Sequence, residues 1–396
     1  MRIASLFFIC ISFGLNSCSK EEITAEILSP EELVPEVTPI EEPSPINLSA
    51  AATKTNTWIF NMQQPNGLLQ SSENSDFVSL YDNALAALLY IKQGENVKAE
   101  KIFNFFNKKI QTELRSSSGG FYQFRNSKGE QGSRTWMGDN AWLLIAINHY
   151  HEATGTQKYS LMARGLEQWL RSLQKEDGGL IGGFNEDGTE IPKVTEGIVT
   201  AFNAVPGYDD FHANILSFLK TNRWDAKEKL LTAWPENIEY KFALDLHGLS
   251  VGIFPDFPIE TLLKTDRYKT TQTNTTNGKL ITGYSFDEDK DVIWLEGTAQ
   301  ILVAFQQANK SAEANSIIKN LEKTFITSPS FANAQGIPYT TNYGSTYGAS
   351  LLWDSADLTP AVSSSTWYLF SQLNFNPLTL GSTKNIPEAD KFWSSK

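Results

Sequence analysis

Six acidic residues recur along the chain, roughly every 45 to 65 positions, each at the head of an apolar run rich in small residues. They lie in Tyr81-Asp82-Asn83-Ala84-Leu85, Gly138-Asp139-Asn140-Ala141-Trp142, Thr195-Glu196-Gly197-Ile198, Phe242-Ala243-Leu244-Asp245, Trp294-Leu295-Glu296-Gly297-Thr298 and Ala356-Asp357-Leu358-Thr359. A period of this length marks a repeated supersecondary unit. Packed side by side as an inner ring of helices, the runs would bring their carboxylates to one mouth. Carboxylates gathered in a cleft, one protonated and one ionised, suit the cleavage of a glycosidic bond.

Each acid also has a plainer use, because Asp and Glu in a first helical turn cap free N–H groups and oppose the helix dipole. Asp82, Asp139 and Asp357 carry both readings. Glu296 differs: it sits between Trp294-Leu295 and Gly297-Thr298-Ala299 on a run apolar enough to be buried, where an unpaired carboxylate is costly and its pKa rises. Glu196, before Gly197-Ile198-Val199, has a similar setting. The resulting expectation is Glu296 as general acid and Glu196 or Asp139 as base. Asp82 would hold substrate hydroxyls, with Asp245 and His247 as further contacts. Tyr81, Trp136, Trp142 and Trp294 would serve as sugar platforms.

The rest of the side-chain inventory narrows the chemistry. His149, His151, His212 and His247 have no metal-ligand spacing, and His149 and His151 fall late in their run, away from the mouth. Asp287-Glu288-Asp289-Lys290-Asp291 and Asn185-Glu186-Asp187-Gly188 lack the ligand order of a calcium loop and read as solvated acidic loops. No cofactor motif, phosphate-cradling glycine loop or Ser-His-Asp set stands out, so neither a cofactor nor a metal is expected.

The elements that must position these residues follow from periodicity. Runs such as Ala84 to Tyr90 and Ala141 to Ile147 are apolar all round and read as buried inner helices. Ala99 to Ile110 and Ser160 to Leu170 place apolar residues at helical spacing with charge opposite, and read as outer helices. Further pairs follow at about 194–221, 239–265 and 293–325, with one inner helix alone at about 359–373. Ala51 to Gln63 offers its missing outer partner, and Pro255 and Pro258 make the fourth hairpin irregular. Between hairpins lie Gly119-Gly120-Phe121-Tyr122-Gln123-Phe124, Asp177 to Phe184 and Gly336-Ile337-Pro338-Tyr339. These suit turns or short strands whose aromatic residues reach a concave face. The fold class is therefore all-α, an (α/α)6 toroid of six helical hairpins with short loop strands, over residues 47–396.

Ahead of it, Arg2 and the apolar stretch Ala4 to Leu15 form a leader too short to span a bilayer as a mature helix. Leu15-Asn16-Ser17-Cys18 resembles the lipobox of bacterial lipoproteins, which implies a signal over 1–18 and a lipid on Cys18. Ser19-Lys20-Glu21-Glu22 is similar to the tether of bacterial surface lipoproteins. Residues 19–46 are an acidic, Pro- and Glu-rich tether that holds roughly half of the net charge of −12. The expected location is the outer membrane, facing the cell surface or periplasm, with the membrane touched only through the lipid. Nucleic acid is not an expected partner, since no basic face remains. Both cysteines, Cys10 and Cys18, lie in the leader.

The repeat pattern over about 80–396 looks like the six-hairpin glycosidases. Gly138 to Ala146 followed by Glu152-Ala153-Thr154-Gly155-Thr156-Gln157-Lys158-Tyr159 is similar to a stretch in bacterial endo-mannanases and unsaturated glucuronyl hydrolases. The endo-mannanase Asp-Asp pair is absent, since Asn140 follows Asp139. Trp294 to Gln300 with Gly336 to Tyr339 resembles a block in bacterial (α/α)6 proteins associated with polysaccharide genes. The resemblance implies a polysaccharide or oligosaccharide partner and hydrolysis. A lyase would instead recruit Tyr81, His247 and Arg134. A non-catalytic glycan-binding lipoprotein would keep the aromatics without a matched acid and base, and a structural toroid would use its mouth acids only as caps. The helical epimerases would need paired histidines at the cavity.

Overall fold

The computed structural model describes residues 47–234, 241–344, 346–347, 350–351 and 356–394. The predicted leader, the lipobox with Cys18 and the tether lie outside them. Ile46–Lys396 forms one compact unit, and no helix among the described residues is long and apolar enough to cross a membrane.

The described residues contain α1 (Ala50–Met62), α2 (Leu80–Lys92), α3 (Asn96–Asn107), α4 (Met137–Thr154), α5 (Ser160–Ser172), α6 (Thr195–Ala204), α7 (Asp210–Phe218), α8 (Asp245–Ile253), α9 (Glu260–Leu263), α10 (Leu295–Gln307), α11 (Ser311–Leu321) and α12 (Val362–Gln372). Helices α2, α4, α6, α8, α10 and α12 each pack on the next, and α12 returns to α2, which closes an inner ring. Each has an outer partner: α3 on α2, α5 on α4, α7 on α6, α9 on α8, α11 on α10 and α1 on α12. The chain thus forms an (α/α)6 toroid, and Ala50–Met62 supplies the outer helix expected to close it.

Burial follows the two sequence patterns. Asp82 to Ile91 of α2 and Met137 to Ile147 of α4 are buried without a break, as a helix walled in by neighbours must be. On α3 only Ala99, Ile102, Phe103 and Phe106 are buried, and on α5 only Met162, Leu166, Trp169 and Leu170, the single stripe of an outer helix. The α4–α5 turn is capped by Gly155 at φ 65°, a conformation glycine adopts without strain. Tyr159, after that turn, is buried against Phe103 and Tyr150 and donates to Asn104 Oδ1 at 2.9 Å. Crowding by Pro255 and Pro258 leaves α9 a single turn, continued by a 3-10 segment at Lys264–Tyr268. The expected short strands are mostly two residues long, except for the five-residue hairpin arms Lys269–Thr273 and Leu280–Tyr284.

One device recurs where loops meet inner helices. In α2, Asn83 Oδ1 accepts from Leu69 N–H at 2.9 Å, and Nδ2 donates to the Leu69 and Ser79 carbonyls. In α4, Asn140 Oδ1 accepts from Phe121 N–H at 2.8 Å, and Nδ2 donates to the Phe121 and Trp136 carbonyls. Thr298 serves Tyr284 in the same way, and Ser365 serves Ile337. Buried loop backbone needs such partners, and the helix residue that supplies them fixes where the loop crosses the mouth. The first outer helix is tied to the segment after α11 by Glu73, which accepts from Trp58 Nε1, Ser328 Oγ and Ser330 N–H at 2.9–3.0 Å.

Replacing Asn83 or Asn140 by Leu leaves a buried peptide N–H and C=O without partners. Each change is expected to cost about 2–4 kcal/mol, read from the midpoint of urea unfolding.

Candidate functional site

At the N-terminal end of the inner ring lies a cavity of about 470 Å³, within the usual range for a small-ligand site. Its wall includes Tyr81, Asp139, Trp142, Glu196, Asp245, Trp294 and Glu296, so seven of the residues expected at the site converge there. They do so because Asp82, Asp139, Glu196, Asp245 and Glu296 occupy the first turns of α2, α4, α6, α8 and α10. The sixth acid departs from the pattern. Asp357 precedes Pro360, after which α12 starts only at Val362, and its carboxylate takes the Thr275 hydroxyl instead.

Glu296 is 4% exposed and held from three directions. Tyr81 Oη donates to Oε1 at 2.7 Å, Gln300 Nε2 donates to the same oxygen at 3.1 Å, and Ser363 Oγ donates to Oε2 at 2.9 Å. Tyr81 is held in turn by Trp367 Nε1, which donates to its hydroxyl at 2.8 Å. Glu196 is gripped less: Thr200 Oγ1 lies 3.2 Å from Oε1, and no described residue donates to Oε2. Asp139 receives Tyr81 N–H at 3.3 Å and Gln123 Nε2 at 3.4 Å.

Among the described residues no Lys, Arg or His lines this cavity, and no salt bridge reaches its acids. Burial lifts every carboxyl. Glu196 rises to about 8, first by desolvation and then by the charges of Asp245, Asp139 and Glu296. Glu296 also rises to about 8, first by desolvation and then by the charges of Asp82 and Asp245, opposed by its hydrogen bonds from Tyr81 and Ser363. Asp139 reaches about 7 by desolvation and the charge of Asp82, and Asp245 about 6 by desolvation.

Three expected contacts are corrected. Asp82 is fully buried outside the cavity wall, beside Ser71 and Tyr339, with its carboxyl raised to about 7 by desolvation. Its charge raises the carboxyls of Asp139 and Glu296. His247, two residues after Asp245, points away from the cavity because two helical positions turn a side chain to the other face. Its Nδ1 meets the Thr261 carbonyl at 2.8 Å and its Nε2 meets Tyr268 Oη at 3.0 Å. Trp136 is half-buried outside the wall, its ring 5.4 Å from the Arg134 guanidinium. Asp287 is also not solvated as expected: it is buried, and desolvation and Asp289 lift its carboxyl to about 8. No group of three or more His, Cys, Asp or Glu among the described residues is arranged to hold a metal.

Tyr339 and Phe124 reach the wall from two of the aromatic loops expected at a concave face, whereas sequence reasoning assigned no role there to Gln300, Gln123, Phe77 and Phe286, nor to Ser363 and Trp367 behind it. Gln300 left a readable signal, lying one turn after Glu296 on the same face. A larger cavity of about 610 Å³ opens at the C-terminal ends of α4 and α6, lined by His149, His151 and Lys384 among others. Its single carboxylate, Glu152, cannot supply both an acid and a base.

The raised carboxyls link stability to pH. Above the ordinary carboxylate range the folded chain keeps protons that the unfolded chain releases, so their stabilisation is lost as pH rises toward the raised values. Below about 6.5 the histidines, held below their ordinary value by burial, pull the other way. Between pH 6.5 and 8 the melting temperature is therefore expected to fall as pH rises. Glu196→Gln should flatten that dependence by up to about 1.4 kcal/mol per pH unit and leave the protein more stable at pH 8. Thermal melts across the window check both.

No sequence family matches the chain, and no curated protein is similar to it in sequence. Solved structures do share its shape. An alpha-amylase from Clostridium perfringens superposes with a TM-score of 0.60 at 11% identity, covering 82% of this chain and 98% of that one. A glycosidase in complex with glucose gives 0.55 at 12% identity, covering 82% and 97%. A cellobiose 2-epimerase from Bacillus thermoamylovorans gives 0.56 at 11%, covering 81% and 96%. The resemblance at this identity is one of fold: the chain is an (α/α)6 toroid with its carboxylates at the mouth of the inner ring.

Proposed function

We propose that the protein is a carbohydrate-active enzyme that hydrolyses glycosidic bonds of an oligosaccharide or polysaccharide. The observation that carries this reading is the presence of Glu196 and Glu296 in one aromatic-lined cavity with unequal surroundings. Three donors favour the ionised form of Glu296, whereas Glu196 has an oxygen with no donor and three like charges nearby. Both carboxyls are raised to about 8, and of two such groups the one that accepts more hydrogen bonds ionises first, so the retained proton is assigned to Glu196. This reverses the roles expected from sequence. Glu196 gives its proton to the bridging oxygen as the bond to the anomeric carbon breaks. Glu296 takes a proton from the water that adds to that carbon. Asp139, held by Tyr81 N–H and Gln123, is placed to orient a substrate hydroxyl.

The rival chemistries lack parts. A lyase must neutralise a uronate, and the cavity wall has no cation among the described residues. An epimerase working through histidines would need them at the cavity, yet none lines it. The structures similar in fold are described as an amylase, glycosidases and sugar epimerases, which supports a sugar substrate without choosing among these reactions. We also infer from Leu15-Asn16-Ser17-Cys18 that a lipid on Cys18 anchors the protein at the outer membrane.

Glu196→Gln is expected to lower kcat by about 10²–10⁴-fold while the protein stays folded, and kcat/KM of the unchanged protein should fall above pH about 8. The assay uses neutral and uronic polysaccharides and follows both reducing ends and the unsaturated chromophore. Chromophore formation would overturn hydrolysis in favour of elimination, and full turnover by Glu196→Gln would overturn the proposed acid. In cells, Cys18→Ala should move the protein from the membrane fraction to the soluble one.

A further inference from the structure

Beside the cavity lies a shallower groove of about 370 Å³, lined by Phe124, Ser133, Arg134, Asn185, Glu186 and Asp187. Phe124 belongs to both walls, so the two spaces meet across its ring. Phe77, 44% exposed, packs its ring 4.7 Å from that of Phe124 and widens the aromatic surface at the junction. On the far side, Glu186 and Asp187 stand exposed on the turn between the strands Gly183–Phe184 and Glu190–Ile191.

The groove differs from the cavity in chemistry. It contains a cation, Arg134, which forms no salt bridge among the described residues. Its guanidinium stacks over Trp136, and its Nε donates to Gln123 Oε1 at 2.6 Å. Gln123 Nε2 then donates to Asp139 Oδ1. A hydrogen-bonded chain therefore runs from the groove to a carboxylate of the cavity, and the Arg134 charge also lowers the Asp139 carboxyl against its burial. Planar amide, carboxylate and guanidinium groups with free donors and acceptors match pairs of neighbouring sugar hydroxyls, and an exposed ring offers an apolar face.

We propose that this groove is a distal sugar subsite continuous with the cavity across Phe124, so that the protein takes a glycan chain lengthwise and not a single terminal sugar. The inference rests on the carbohydrate reading above. Arg134 is then a positioning residue: a sugar that orders its guanidinium also orders Gln123, and through it Asp139.

Calorimetry with linear malto-, cello- and manno-oligosaccharides of two to six units tests this on the purified protein, on Arg134→Ala and on Asn185→Ala/Glu186→Ala. The double variant alters only a hairpin turn, so folding is kept. Affinity is expected to climb with length, with the six-unit chain held at least about tenfold tighter than the two-unit chain, a difference of about 1.4 kcal/mol. Both variants should bring that ratio toward one, and Arg134→Ala should also move the pH profile of turnover upward as Asp139 loses its nearby charge. Binding that does not change with length, or a length dependence that both variants retain, overturns the distal subsite and leaves the hydrolase reading standing. No binding by any member of the three series to the unchanged protein overturns both.

Discussion

Five carboxylates share one end of the inner ring with no salt bridge to any of them among the described residues, and the rest of the molecule is arranged to hold that charge out of water. A buried carboxylate without a counter-ion shifts its pKa upward and takes a proton, as these do. What offsets the cost is the direction of the helices. Each of the five sits in the first turn of an inner helix, where the unpaired N–H groups and the macrodipole favour negative charge. Where α12 has no acid in its first turn, buried serines stand instead, and Ser363 hydrogen-bonds to Glu296 across the ring. The capping and catalytic readings of these acids are therefore compatible. The same dipoles that make an acid favourable at a helix start make a ring of helix starts a place to gather acids.

Rigidity at the mouth comes from the recurring clamp between loop and helix. Asn83, Asn140, Thr298 and Ser365 are different residue types doing one job, pairing the N–H and C=O of a crossing loop. Because the clamp sits within a turn or so of the acidic position, the same helix residues that place the carboxylates also place the aromatic loops over them. Glu296 shows how far this goes. Its donors come from α2, α10 and α12, so its orientation depends on the ring being closed. Closure depends on α1 reaching α12 and on Glu73 tying α1 to the segment between α11 and α12.

The two glutamates of the cavity illustrate why similar sequence settings end in different surroundings. Both follow a non-polar or hydroxyl residue and precede Gly, and both are desolvated. One accepts three hydrogen bonds and the other keeps an oxygen with no donor among the described residues, and on that difference rests the proposed division into base and acid. Nothing local to either residue encodes it, since Tyr81 and Ser363 are distant in the chain from Glu296.

Periodicity alone determined the helices, their inner and outer characters, the closing role of Ala50–Met62 and the gathering of acids at one end, because burial on one side or all sides is written directly in residue order. It also pointed to Tyr81, Asp139, Trp142, Glu196, Asp245, Trp294 and Glu296, which line one cavity, since these belong to the first turns of inner helices or lie close to them. Tertiary structure decided what depends on rotation and on partners from elsewhere. It turned His247 outward and sank Asp82 behind Tyr339. It also left Trp136 at the edge, drew Asp357 into a loop contact, buried Asp287, and brought Phe77, Phe124, Phe286 and Tyr339 from separate loops into one wall. A helix start fixes where a side chain begins, but a difference of 100° between neighbouring positions and the path of loops far away in sequence settle what it touches.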